Sequence, residues 1–148
     1  MLAALGAMGA ASLCGIDIEP DAIAASRRLL GDLGLNAIAE LHQGDMWRPV
    51  AGRRFDLIVA NPPYMLDLNA RTYRHGGGAL GAELSLRIVE QARERLSMRG
   101  TLLLYTGVAI VEGRDALLEA VRLRLADPQF SWVYQEIDPD VFGEQLDE

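Results

Sequence analysis

Apolar and polar residues fall into blocks along this chain, and the blocks alternate between two periods. Residues 1–11 consist largely of Ala, Leu and Met, strong helix formers, and predict a helix packed closely on a sheet despite Gly6 and Gly9. Residues 12–18 (SLCGIDI) form a short apolar run closed by acids, the pattern of a buried parallel strand ending at Asp17 or Ile18. Pro20 suits the first turn of a helix reaching about Leu33, with Gly34 as its stop. Residues 36–41 alternate weakly and lead into a turn at Gln43-Gly44-Asp45. A second buried strand, 55–60 (FDLIVA), halts at Asn61-Pro62-Pro63, where two prolines forbid ladder hydrogen bonds.

From Tyr64 to about Leu80 the pattern is that of a long loop containing Gly76-Gly77-Gly78, and long loops in small domains are commonly functional. A helix from about Glu83 to Ser97, a strand over 101–105 (TLLLY), a helix near 114–125 and a strand near 130–137 (FSWVYQEI) complete the reading. Strands alternating with helices of this length imply an α/β fold with a parallel sheet and right-handed crossovers.

The 148 residues, half of them hydrophobic, suffice for one core and are too few for two ordinary domains, so 1–148 is read as a single domain. No run approaches the roughly eighteen apolar residues of a membrane span, and the opening Met1-Leu2-Ala3 lacks the positive start of a signal peptide; the expectation is a cytoplasmic protein without a membrane partner. Cys14, the lone cysteine, has no partner for a disulfide or a zinc site and reads as a small core residue. No metal site is expected. The net charge of −7 argues against broad adhesion to nucleic acid, although Arg71, Arg74 and His75 make one small basic cluster. Arg27-Arg28 and the Arg93/Arg95 pair have the spacing of solvated helix faces.

In open parallel sheets ligands bind beyond the carboxyl ends of the strands. Three such ends carry polar groups here: Asp17, Asp45 and Asn61. Asp17 has the position from which a carboxylate accepts two hydrogen bonds from a ribose diol, and it has equally the position of a helix N-terminal acid favoured by the macrodipole. Asp45 either accepts from an adenine amino group or is simply a turn residue. Asn61-Pro62-Pro63-Tyr64 is more specific. Two prolines directly after a buried strand stiffen the backbone, so the Asn side chain and its neighbouring carbonyls are in place before a substrate arrives. An amide or nucleobase NH2 has its lone pair delocalised and is a poor nucleophile. Accepting both of its hydrogens, on the Asn61 side-chain oxygen and the Pro62 carbonyl, would localise that lone pair and stabilise positive charge developing on nitrogen. Tyr64 has the flat face needed to stack on the planar group.

The segments GIDIEPDAI, QGD and FDLIVANPPY, in this order and at these separations, resemble the class I S-adenosylmethionine-dependent methyltransferases of the N5-glutamine type, and their relatives that methylate exocyclic nitrogens of adenine or guanine. The likeness runs from about residue 12 to 104, and GGGALGAELSLRIVEQA is similar to the loop and helix that follow the motif in such enzymes. The resemblance implies a Rossmann-like three-layer parallel sheet and S-adenosyl-L-methionine as cofactor. It implies further that Asp17 holds the cofactor ribose and that Asp45 and Met46 border the adenine. Asn61 would lie against the cofactor and also, with Pro62, Pro63 and Tyr64, against the substrate. Asn61, Pro62 and Tyr64 would be the catalytic positions. A protein glutamine, a nucleobase amine or a small metabolite fits as substrate, and residues 67–78 (DLNARTYRHGGG) would choose among them. His75 there would touch substrate, act as a base or be solvated.

Such enzymes begin with a strand and a glycine-rich loop of the type acidic-x-Gly-x-Gly-x-Gly. Gly6-Ala7-Met8-Gly9 lacks the preceding strand and acid, and residues 147–148 follow closely on the last predicted strand. The domain is therefore expected to be truncated at its N-terminus and at its C-terminus. A strand missing from the centre of the sheet would leave the strand ending at Asp17 and the strand ending at Ala60 with unpaired backbone groups. The expected remedy is direct pairing of those two strands, with some homodimerisation, while residues 1–11 stay helical. A non-catalytic remnant of the same fold, serving binding or assembly, is the alternative. A nicotinamide-dependent oxidoreductase would explain Asp17 and leave the double-proline loop without a role.

Overall fold

The computed structural model describes residues 1–65, 76–78 and 80–137. Arg71, Arg74, His75 and most of the segment expected to choose the substrate lie outside the described residues. The chain divides into two units, Met1–Val59 with Arg95–Thr101, and Ala60–Glu94 with Leu102–Glu148.

The first unit is built on a strand, a helix and a parallel strand. Helix α1 (Leu2–Ala7) is shorter than predicted because Gly9 turns left-handed at φ +88° and the Ala10 N–H closes back on the Leu5 carbonyl at 3.1 Å. Strand β1 (Leu13–Asp17) runs parallel to β2 (Ala39–Gln43), with Leu13 opposite Ala39 and Asp17 opposite Gln43. Between them lies α2 (Pro20–Asp32), which starts with Pro20 where no N–H is needed and has Asp21 in its positive first turn. It ends as α1 does: Gly34 takes φ +70° and the Leu35 N–H reaches the Leu30 carbonyl at 2.8 Å. Its buried face carries Ile23 and Leu30, the latter 1 % exposed, a burial that stabilises by roughly 1.5–3 kcal/mol. Gly15 explains the close packing predicted for the first helix. A Cβ there would stand 2.6 Å from Leu2 Cδ1 of α1 and 2.7 Å from Leu41 Cδ2, so the glycine leaves the room that these two leucine side chains fill between helix and strand.

Strands β3 (Phe55–Ala60) and β4 (Leu96–Leu104) pair with each other, and the division between the units falls within both. The second unit contains α3 (Glu83–Arg95), whose buried positions Ser85, Ile88, Val89 and Ala92 recur at helical spacing. Val89 forms a small core with Leu117 and Val121 of α4 (Ala116–Arg124), lined by Leu86, Leu102, Leu104 and Leu125. Before α4 stands a hairpin, β5 (Ile110–Val111) against β6 (Arg114–Asp115). Its turn residues Glu112 and Gly113 have φ +52° and +72°, the left-handed pair that a two-residue hairpin turn demands. Asp115 then caps α4 by accepting the Leu118 N–H at 2.7 Å.

Three expectations are corrected. Residues 36–38 form a 3₁₀ turn (Asn36–Ile38) rather than the start of a strand, and the strand begins at Ala39. The described residues 130–137 form no strand, because alternation supplies only a tendency and none of the described residues offers a ladder partner; the Arg93 guanidinium lies over the Phe130 ring at 4.6 Å, and the Tyr134 hydroxyl donates to Asp115. Among the described residues no ladder joins β1 to β3 either: each strand pairs with the next strand of its own crossover, β1 with β2 and β3 with β4.

Candidate functional site

Two groups of residues at strand ends carry the polar chemistry. The first stands in the unit of β1 and β2. The Asp17 side chain folds over the chain reversal after β1, its Oδ1 accepting the Glu19 N–H at 2.9 Å. The Asp17 carbonyl accepts from the Gly44 N–H at 2.9 Å, and Gln43 Nε2 donates to the Ile18 carbonyl at 3.3 Å, so the turns after β1 and β2 are tied together. Gly44 is required there: a Cβ would meet Pro49 Cγ at 2.5 Å. Asp45 follows at once, its carbonyl accepting the Arg48 N–H at 3.1 Å, and Met46 is held left-handed at φ +47°, a conformation that costs a non-glycine residue about 1–3 kcal/mol. The structure thus brings Asp17, Asp45 and Met46 to one pair of neighbouring turns. Asp17 is exposed, with one oxygen anchored and the second free of hydrogen bonds among the described residues. An anchored, solvent-facing carboxylate is the acceptor to which the hydroxyls of a ribose diol can donate, so Asp17 fits a nucleoside cofactor.

The second group stands in the other unit. Ala60, the last residue of β3, accepts the Tyr105 N–H at 3.0 Å, and the chain then turns outward through Asn61, which is exposed, and Pro62, which is buried. Tyr64 is half-buried. Its ring meets Tyr105 edge to face, centroids 6.4 Å apart at 73°. Burial, and secondarily the Tyr105 phenol, push the Tyr64 hydroxyl above the usual tyrosine range, so Tyr64 is neutral at physiological pH. Three glycines shape this loop. A Cβ on Gly107 would lie 2.4 Å from Tyr64 Cδ2; on Gly81, 2.4 Å from the Tyr64 carbonyl; on Gly76, 1.8 Å from the Gly81 carbonyl and 2.7 Å from that of Pro63. The Gly76 N–H also donates to the Met65 carbonyl at 3.0 Å, and the Leu84 N–H to the Gly76 carbonyl at 2.9 Å. The loop 61–65 is therefore held between the start of α3 and the residues after β4.

Sequence reasoning missed Tyr105, Gly107, Gly76 and Gly81. The strand-end rule that selected Asp17, Asp45 and Asn61 applies equally to the end of β4, and would have selected Tyr105-Thr106-Gly107.

The model of the methyltransferase small domain matches residues 2–121. The chain belongs to that family. Methyltransferase small domain proteins use S-adenosylmethionine. The chain is 32% identical over 120 residues to a ribosomal protein uL3 glutamine methyltransferase of Bradyrhizobium diazoefficiens, a match covering 74% of this chain and 36% of that protein. It is 34% identical over 113 residues to a release factor glutamine methyltransferase of Geobacter sulfurreducens, covering 69% and 39%. It thus spans well under half the length of these relatives. A methyltransferase structure from Pyrococcus furiosus superposes with a TM-score of 0.55 at 23% identity, covering 76% of this chain and 49% of that one. The fold is accordingly the α/β methyltransferase fold expected from the resemblance. No helix among the described residues is long and apolar enough to cross a membrane.

Proposed function

We propose that this small-domain methyltransferase chain acts, in the cytoplasm and as a single domain, in transfer of a methyl group to the side-chain amide of a protein glutamine. The reading is carried by one observation: the loop Asn61 to Tyr64 is fixed at the end of β3, its Tyr64 ring and carbonyl closed in by Gly107 and Gly81 before any substrate binds. Glutamine methyltransferases among the relatives favour a protein amide over a nucleobase.

S-adenosylmethionine supplies a methyl group on a positively charged sulfur, an electrophile that needs a nitrogen lone pair directed at it. Asp17 would hold its ribose, and Asp45 and Met46 would border its adenine. Asn61 accepts one amide hydrogen on its side-chain oxygen and Pro62 accepts the other on its carbonyl. Both acceptors strengthen as positive charge grows on the nitrogen, which lowers the barrier without tightening the ground state. Tyr64, neutral, stacks on the amide plane and sets its tilt. The alkylated nitrogen sheds a proton to solvent, so a strong general base is not required.

The test is transfer of tritium-labelled methyl from S-adenosylmethionine to uL3 and to a release factor. Asn61→Ala should lower kcat by roughly 10²–10³-fold, with cofactor affinity changed little. Equal labelling by wild type, Asn61→Ala and Asn61→Asp would sink the assigned role.

A further inference from the structure

Ser85 is the one polar residue classed as buried among the described residues, and it is 0 % exposed. Its hydroxyl lies 2.8 Å from Thr106 Oγ1, and Thr106 Oγ1 lies 3.2 Å from the carbonyl of Gly107. One proton assignment uses every donor: Ser85 donates to Thr106, and Thr106 donates to the Gly107 carbonyl. The Gly107 end of this short relay adjoins Tyr64: Gly107 stands against the ring so closely that a Cβ would reach 2.4 Å from Cδ2. Gly81, in the left-handed turn just before the helix that carries Ser85, stands against the Tyr64 carbonyl. Tyr105, on the other side of Thr106, meets the Tyr64 ring edge to face and donates its N–H to Ala60, the residue before Asn61.

We propose that Ser85 and Thr106 are positioning residues: their hydroxyl relay joins α3 to the turn 105–107 and so sets the orientation of the Tyr64 ring for the planar acceptor. A purely apolar contact between α3 and that turn would satisfy packing equally well. A relay ending on the Gly107 carbonyl additionally fixes the rotation of the peptide that backs the ring. Hydrogen bonds are directional where dispersion contacts are not, which is the advantage of hydroxyls in an otherwise apolar contact. The role in acceptor orientation rests on the methyl-transfer reading above; the orientation of Tyr64 itself does not.

The experiment compares Thr106→Val, which keeps shape and loses the hydroxyl, with Thr106→Ser, which keeps the hydroxyl. Two readouts are taken on the whole chain. The first is the ring resonance of Tyr64 in protein carrying 13C-labelled tyrosine, assigned with Tyr64→Phe. The second is kcat and KM for the acceptor beside the dissociation constant of S-adenosylmethionine. Thr106→Val should displace the Tyr64 resonance and lower kcat/KM by roughly ten- to a hundredfold with cofactor affinity unchanged, while Thr106→Ser stays near wild type in both. An unmoved Tyr64 resonance in Thr106→Val overturns the proposal, as do equal losses in the valine and serine variants. The resonance needs no methyl transfer, so an inactive wild type would refute the function and leave the positioning test intact. If Thr106→Val does not fold, Ser85→Ala in its place is read the same way, with Ser85→Thr as the hydroxyl-retaining partner.

Discussion

Gly107→Ala is the sharpest perturbation the structure offers. The added methyl would lie 2.4 Å from Tyr64 Cδ2, 2.6 Å from Cε2 and 3.3 Å from Cγ, whereas ordinary contact begins near 3.4 Å. The ring must therefore retreat by about 1 Å, the difference between 3.4 and 2.4. Its route is restricted, because Tyr105 meets it edge to face and Gly81 backs its carbonyl. Overpacking of this kind costs about 1–3 kcal/mol, or a melting temperature lower by roughly 2–12 °C in a chain of this size. Displacing a stacking residue by about 1 Å costs catalysis more, up to roughly a hundredfold in kcat/KM. The assay is methyl transfer at saturating S-adenosylmethionine with varied acceptor, run beside thermal unfolding and the cofactor dissociation constant. Loss of kcat/KM with a folded protein and intact cofactor affinity is the expected result. Wild-type kinetics in a folded Gly107→Ala would refute the idea that the Tyr64 ring position matters.

Other outcomes follow from the same geometry. Gly76→Ala puts a methyl 1.8 Å from the backbone carbonyl of Gly81, which cannot rotate away, so it should lose more stability in thermal unfolding than Gly107→Ala does. Gly31→Ala, near the end of α2, meets only the flexible end of Asn36 at 3.2 Å and should gain up to about 1 kcal/mol in denaturant unfolding from helix propensity. Asp115→Ala removes the α4 cap and should cost about 1 kcal/mol by the same measurement. Burial first, and the hydrogen bond to Asp115 second, raise the Tyr134 phenol above its ordinary range; a raised native pKa means stability that is complete below about pH 10 and is lost as pH climbs beyond it, so melting between pH 9 and 11 should fall more in wild type than in Tyr134→Phe.

Local rules reached the elements and the polar strand ends. Pro20 and Gly34 bounded α2 because a missing N–H and a left-handed φ are properties of single residues, readable without a partner. Asn61-Pro62-Pro63 ended β3 for the same reason, and the acids at 17 and 45 fell where strand-end geometry places them. The planar-nitrogen reading proposed for residues 61–64 came from four consecutive residues, because a rigid acceptor pair beside an aromatic face is a local feature.

Partnership between distant segments was not legible, and there tertiary structure decided. Residues 130–137 have the alternation of a strand and form none among the described residues, since a ladder exists only where another strand offers its N–H and carbonyl groups. The β1–β3 pairing expected from the sequence gives way, among the described residues, to β1–β2 and β3–β4, a choice of partner that no local pattern encodes. Gly107 and Gly81 look like loop glycines in the sequence, and only the fold shows that each is a surface against which Tyr64 rests. Ser85 likewise reads as an ordinary helix serine. Its burial and its hydroxyl partner, 21 residues away, arise from packing that no local pattern encodes.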